Sequence, residues 1–391
     1  MSPKWWPGAR REPAAAVGPA PSADPSGSGA ATAPEPSDPI PPAGPGDAPD
    51  AAATEQNPAE QAEQAEQTCA YEELPTSAPR TGQLASLPAP RLTEVPTSLP
   101  GMRADGGLLR GRWIAAASLT GTSHLLHGTT GQDVYRYTAT HDGSGLVLVV
   151  CDGLGSRPAT AQTGAGLLAS YVCEAAAHIT GRQMALAPQD VLHDVLATGN
   201  AAVRRHRAAV LEPLTDSDLA STVAVCWLPL PVDPEQAGAD GEPPESGTST
   251  GPEASGEVRP DANLGHAVRV GDCNVFTLSG DAYGTAFAAD EGPANVITAY
   301  LPSDGVPRAA EYAPLALAGV DAVILTTDGL AVDLFDSPSV RTWLASRWSV
   351  PCGPARMLDS LRYRRQGSHD DRTALVTWSA AATGRTPRLE P

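Results

Sequence analysis

The sequence predicts a layered α+β fold, on three observations. Short apolar runs read as strands, stretches with apolar residues every three or four positions read as helices, and the two kinds fall in separate groups rather than strict alternation. Leu146-Val147-Leu148-Val149-Val150 is a continuous apolar run ending near Asp152, as expected of a strand buried on both faces. After Ser156, apolar residues recur at Ala161, Ala165, Leu168, Val172 and Ala176, the stripe of an amphipathic helix. A second helix follows Pro188, with Leu192, Val195, Leu196, Val203 and Val210 on one face and Arg204, Arg205 and Arg207 elsewhere. Thr222-Val223-Ala224-Val225, Ala267-Val268-Arg269-Val270 and Val275-Phe276-Thr277-Leu278 are further strands. The last runs into Ser279-Gly280-Asp281, a hairpin signal. Val323-Ile324-Leu325-Thr326 leads to Asp328, helices are expected over 340–348 and 354–364, and Ala374-Leu375-Val376-Thr377-Trp378 closes the domain as a strand.

The chain has 391 residues and a formal net charge of −19, which argues against nucleic acid as a partner. With 5% aromatic residues beside 38 Gly and 39 Pro, much of it cannot be core. Residues 1–108 are rich in Ala, Pro, Gly, Ser and Glu and hold no sustained period, so the expectation is a disordered tail with a transient helix over 56–67. A second biased stretch, 232–262, carries Asp233, Glu235, Asp240, Glu242, Glu245, Glu253 and Glu257. Strand segments 221–228 and 266–278 flank it and pair naturally across it. It reads as a flexible acidic insert within one domain, 109–380, followed by a flexible C-terminal tail, 381–391.

None of the six cysteines forms a Cys-x-x-Cys pair, which fits small buried thiols in a reducing cytosol rather than zinc ligands. No stretch approaches the roughly 20 apolar residues of a spanning helix. The opening Met1-Ser2-Pro3-Lys4-Trp5-Trp6-Pro7 lacks the apolar core of a secretory signal. A cytoplasmic protein without a membrane partner is expected.

Four segments set an aspartate at the end of an apolar run: Gln132-Asp133-Val134, Cys151-Asp152-Gly153-Leu154-Gly155, Thr327-Asp328-Gly329 and Asp370-Asp371-Arg372-Thr373. One Asp-Gly pair is ordinarily a turn. Four such carboxylates in one domain suit a pair of hard divalent cations, since oxygen ligands select magnesium, manganese or calcium. Gly153, Gly155 and Gly329 let the backbone approach a metal or substrate closely. Two cations about 3.5–4 Å apart can bridge a water and lower its pKa, which suggests a two-metal hydrolase. Phosphoryl transfer suits such a site, because it depends mainly on positioning and charge stabilisation.

The ordered set Gly121, Ser123, His124, Gln132-Asp133, Asp152-Gly153-Leu154-Gly155-Ser156, Ser221-Thr222-Val223, Gly271-Asp272-Cys273, Asp328-Gly329-Leu330 and Asp370-Asp371-Arg372-Thr373 resembles the metal-dependent type 2C (PPM) serine/threonine protein phosphatases, in a bacterial form. The resemblance covers about 111–379. It implies a four-layer α-β-β-α sandwich, a central antiparallel β-sandwich flanked by helix pairs, with a binuclear Mn²⁺ or Mg²⁺ site at one end. It makes Asp152 the bridging carboxylate, the Gly153 carbonyl a metal ligand, and Asp133 a ligand through water. Asp328 and Asp370 complete the coordination of the second metal, and Asp272 stands near an optional third. Asp152 and Asp328 are the catalytic carboxylates on this reading; Asp371 faces solvent or bonds the backbone. It further implies a phosphoprotein substrate made by a serine/threonine kinase.

Two positions depart from the family pattern. Where an arginine ordinarily grips phosphate, this chain has Gly128, leaving His124, His127, Arg136 or Arg157 as substitutes. Where a histidine often follows Asp-Gly, it has Leu154, so the general acid is unassigned. The alternatives are a phosphatase-like binding module without efficient turnover, and a phosphatase controlled by its N-terminal tail. A dinucleotide-binding enzyme is disfavoured, because no Gly-x-Gly-x-x-Gly follows a strand with an acidic residue about 20 positions on.

Overall fold

The computed structural model describes residues 77–84, 101–154, 158–231, 259–289, 299–304 and 310–383. In chain order the elements are β1 (Arg80–Thr81), β2 (Met102–Leu109), β3 (Arg112–Leu119), α1 (Thr122–Leu126), β4 (Val134–Ala139), β5 (Gly145–Gly153), α2 (Pro158–Ala176), α3 (Gly181–Leu186) and α4 (Pro188–Val210). There follow β6 (Ser221–Pro229), β7 (Leu264–Val270), β8 (Asn274–Ser279), β9 (Ala282–Thr285), β10 (Glu311–Ala316), β11 (Ala322–Thr326) and α5 (Asp328–Asp336). The last are α6 (Pro338–Trp348), α7 (Pro354–Ser360), β12 (Arg364–Arg365), β13 (Arg372–Trp378) and α8 (Ala380–Thr383).

Two antiparallel sheets carry the domain, one ordered β10-β7-β6-β5-β4 and the other β2-β3-β13-β11-β8-β9. Side chains of successive strand residues point to opposite faces, and that alternation sorts the core into three layers. In β5, Val147, Val149 and Cys151 pack against Leu168, Val172 and Leu196 of helices α2 and α4. The intervening Leu146, Leu148 and Val150 meet Ile114, Val323, Leu325 and Leu375 of the other sheet. In β13, Ala374, Val376 and Trp378 face Leu330, Leu344 and Trp348 of α5 and α6. The α-β-β-α layering implied by the resemblance is thus present, and the apolar continuity of β5 and β6 follows from burial on both faces.

The expected domain limits move at both ends. β2 falls within the segment read as a tail, 1–108, yet pairs along its length with β3 from Met102↔Leu119 to Leu109↔Arg112. Gly106, Gly107 and Asp105 are poor strand formers, so its pairing, not its composition, makes it a strand. Arg110 (φ 44°) and Gly111 (φ 77°) turn the chain between the two, the paired left-handed residues of a tight hairpin. Further back, Arg80 and Thr81 pair with Arg364 and Arg365. At the other end Ala382, read as tail, is fully buried against the second sheet's helices. The expected helix over 354–364 stops at Ser360. The chain turns there so that Arg364 enters β12. The acidic insert lies outside the described residues except at 259–262, although β6 and β7 do pair across it from Val223↔Val270. The remaining 1–76, including the 56–67 stretch, and 384–391 also lie outside them.

Candidate active site

Strand register brings the predicted aspartates to one end of the sandwich. Asp133 precedes β4, and Val134 pairs with Cys151, which puts it beside Asp152 at the end of β5. Asp152 pairs with Thr222 at the start of β6. Val223 pairs with Val270, so Gly271-Asp272 leaves β7 at the same end. In the other sheet Thr326 pairs with Ala374, which sets Asp328, just past β11, near Asp370 and Asp371, just before β13. Arg372 pairs with Leu119, so the chain beyond β3 carries Gly121 and His124 to this end too.

Hydrogen bonds tie the two sheets together here. Thr327 Oγ1 donates to Asp133 Oδ2 at 2.7 Å and accepts from the Thr373 N–H at 3.2 Å. Ser221 Oγ donates to the Asp152 carbonyl at 2.7 Å. Arg103, half-buried on β2, donates Nη2 to the Asp133 carbonyl. Asp371 bonds the main chain, as one of its two expectations had it, but does not face solvent: it is 2% exposed. Its Oδ1 accepts from Gly121 N–H at 2.6 Å and lies 2.9 Å from His124 Nδ1, while Oδ2 accepts from Gln132 N–H at 2.5 Å.

The carboxylates are close enough to suppress one another's ionisation. Burial first, then Asp328, Asp133, Asp370 and Asp272, push the Asp152 carboxyl well above its usual range. Asp328 is pushed up to about 8, by burial and then by Asp272 and Asp370. Burial and Asp371 raise Asp133, with the hydrogen bond from Thr327 opposing. Asp370, the most open of them, is raised by desolvation and by Asp371, with the main-chain N–H of Asp371 and His124 opposing. His124 is itself raised, chiefly by its hydrogen bond to Asp371 against the effect of burial.

This donor set fits hard divalent cations. It is made of oxygens, and among the described residues no lysine or arginine pairs with Asp152, Asp328 or Asp370. Asp133 Oδ1 is buried without a hydrogen-bond partner, a state that a bound cation would relieve. One nitrogen of His124 and one oxygen each of Asp370 and Asp371 lie within 4.8 Å of one another. Beside Asp370 opens a cavity of about 380 Å³, lined in part by Gly121, Leu125, Leu126, Arg364 and His369.

Asp133, Asp152, Asp272, Asp328 and Asp370 therefore converge, and His124 joins them through Asp371. His127 does not: it is exposed, with Nδ1 donating to the Ser123 carbonyl at 2.7 Å. Arg136 is exposed with Nη1 on the Tyr135 carbonyl, and Arg157 and Gly155 lie outside the described residues. Gly153 and Gly329 each lie tight against neighbouring main chain. A Cβ on Gly153 would meet the Ala161 carbonyl oxygen at 2.5 Å, and one on Gly329 that of Asp371 at 2.2 Å. Sequence reasoning missed Arg103 and the clamping role of Asp371; the one available signal for Arg103 was the Arg110-Gly111 turn, which makes 102–119 a hairpin.

A family model described as Protein phosphatase 2C matches residues 120–362, well over half of the chain. Solved structures that align with the chain include RsbX in complex with magnesium, with 12% identity and a TM-score of 0.40 over 71% of this chain and 99% of that one. The S. agalactiae serine/threonine phosphatase aligns with 11% identity and a TM-score of 0.46 over 71% of this chain and 99% of its own. The Mycobacterium tuberculosis serine/threonine phosphatase PstP/Ppp aligns with 15% identity and a TM-score of 0.44 over 71% and 98%. Comparison with curated proteins gives no match.

Proposed function

The chain belongs to the protein phosphatase 2C family, and on that premise we propose that it hydrolyses phosphoserine and phosphothreonine in proteins at a pair of manganese or magnesium ions. The convergence of Asp133, Asp152, Asp328 and Asp370 at one end of the sandwich carries this reading. Asp152, the Gly153 carbonyl, Asp133, Asp328 and Asp370 would hold the two cations, with Asp272 beside an optional third. Cations bound there supply positive charge for the phosphoryl oxygens and make an attacking water more acidic.

The chain's own groups support direct attack by water. The thiols nearest Asp152 are Cys151 and Cys273, and burial pushes both well above their usual range, so neither is a ready thiolate nucleophile. Thr327 holds Asp133 from one side and Arg103 fixes its main chain from the other. His124, with Nδ1 on Asp371, would be the imidazole that meets the phosphoryl group. His127 is dropped from that role because it is exposed and its Nδ1 is taken by the Ser123 carbonyl. The cavity beside Asp370 gives room for side chains next to the phosphorylated residue.

The substrate class is a phosphoprotein produced by a serine/threonine kinase, and the proposed place of action is the cytoplasm. No helix among the described residues is long and apolar enough to cross a membrane. Phosphopeptide hydrolysis measured with manganese, with magnesium and with chelator tests the reading. Turnover that requires metal and vanishes in D328A supports it; equal rates with and without chelator sink it. A second reading, a phosphatase-like binding module, is favoured by Gly128 at the family's phosphate-arginine position. Metal binding without metal-dependent turnover would select it.

A further inference from the structure

Asp371 has no part in the reaction as described, yet it is the most heavily bonded carboxylate at this end of the fold. Its three hydrogen bonds all go to residues 121–132, the segment that leads from β3 into Asp133. A carboxylate offers about four acceptor positions, and three are committed to N–H groups. Asp370 differs: its Oδ1 accepts a single main-chain N–H, that of Asp371, at 2.9 Å. A second tether, Gln162 Nε2 to the Gly131 carbonyl at 2.6 Å, holds the same segment from α2.

We propose that Asp371 is a positioning residue and not a metal ligand: it clamps the 121–132 segment through two main-chain N–H groups and holds the His124 imidazole by Nδ1, so that Nε2 is the nitrogen presented to the substrate's phosphoryl group. The inference rests on the phosphatase reading above. The partner of one ring nitrogen fixes which nitrogen is left for chemistry, so the clamp decides the orientation of His124. Because Gln132 precedes Asp133, the same clamp sets how Asp133 enters the carboxylate cluster.

The test compares D371N, D370N, H124Q and the D371N/H124Q pair in the full chain, by three measurements. In calorimetric titration with Mn²⁺, D370N weakens binding by about tenfold or more and D371N by less than about threefold. Equal losses would make Asp371 a ligand and overturn the proposal. On a phosphopeptide, D371N lowers kcat by about tenfold when His124 is intact and by less than about threefold in the H124Q background. Losses that simply multiply would show that Asp371 does not act through His124. In ¹⁵N spectra of the metal-free protein, His124 Nδ1 carries its proton and D371N changes that signature. An unprotonated Nδ1 in the unsubstituted protein overturns the proposal even if D371N fails to fold. If the unsubstituted protein shows no turnover, the phosphatase reading fails, while the Mn²⁺ and ¹⁵N measurements still decide the place of Asp371.

Discussion

Thr327 Oγ1 reaches Asp133 Oδ2 across 2.7 Å, which joins the end of β11 in one sheet to the entry of β4 in the other. The same hydroxyl accepts the Thr373 N–H, so one atom holds three segments in register. Replacing it with T327V keeps the shape and leaves both partners buried without it. Each orphaned buried group costs about 1–3 kcal/mol. Denaturant unfolding of the metal-free protein should register a loss on that scale, together with reduced phosphatase activity. An unchanged midpoint would mean that the joint is not holding the sheets.

Asp333 is a second anchor, farther from the carboxylates. It is 1% exposed and accepts from Tyr363 Oη at 2.5 Å, Arg365 Nη1 at 2.7 Å and Ser368 Oγ at 2.7 Å. These three pin the segment that runs into Asp370. Removing one member of a buried charged network costs about 3–5 kcal/mol. D333A should therefore lower the thermal midpoint sharply, and D333N, which keeps the shape and part of the bonding, should lower it less.

The raised carboxyls predict a pH dependence for the metal-free protein. Asp328 titrates at about 8 in the fold and at about 3.9 when unfolded. Between those values the folded state holds a proton that the unfolded state has lost, so stability falls as pH rises through the window. Denaturant midpoints of metal-free protein should decline from about pH 4 to pH 8. Saturating Mn²⁺, which substitutes positive charge for the proton, should flatten the slope. A metal-free midpoint that climbs over this range would show the carboxyls to be too far apart to repel.

β2 also makes the domain's proper start testable. A chain that begins at residue 77 keeps β1, β2 and Arg103, whereas one that begins at residue 110 loses the edge strand of the six-stranded sheet and the bond to the Asp133 carbonyl. The first should unfold at the temperature of the full chain. The second should unfold lower and bind Mn²⁺ more weakly. Equal behaviour would restore the boundary at 109.

Much of this was legible in the sequence, for identifiable reasons. Strands β5, β6, β11 and β13 stand out because both faces are buried, which writes them as unbroken apolar runs. Helices α2 and α4 stand out through their stripes. Edge elements did not: β2 carries Gly106 and Gly107, and β10 carries Pro314, tolerated because an edge strand needs bonding on one side alone. The aspartates could be picked out because each ends an apolar run. The partners of Asp371 could not, since Gly121 lies 250 positions away and only the fold brings them together.

The cluster also has a mechanical meaning. Asp133 and Asp152 belong to one sheet, Asp328 and Asp370 to the other. A cation shared among them, as proposed, would act as a rivet through the seam of the sandwich, and neither sheet alone would keep the full set of donors. Splitting the seam, by heat, by a protease or by a partner that wedges the layers apart, would release the ion and silence the chemistry in one event.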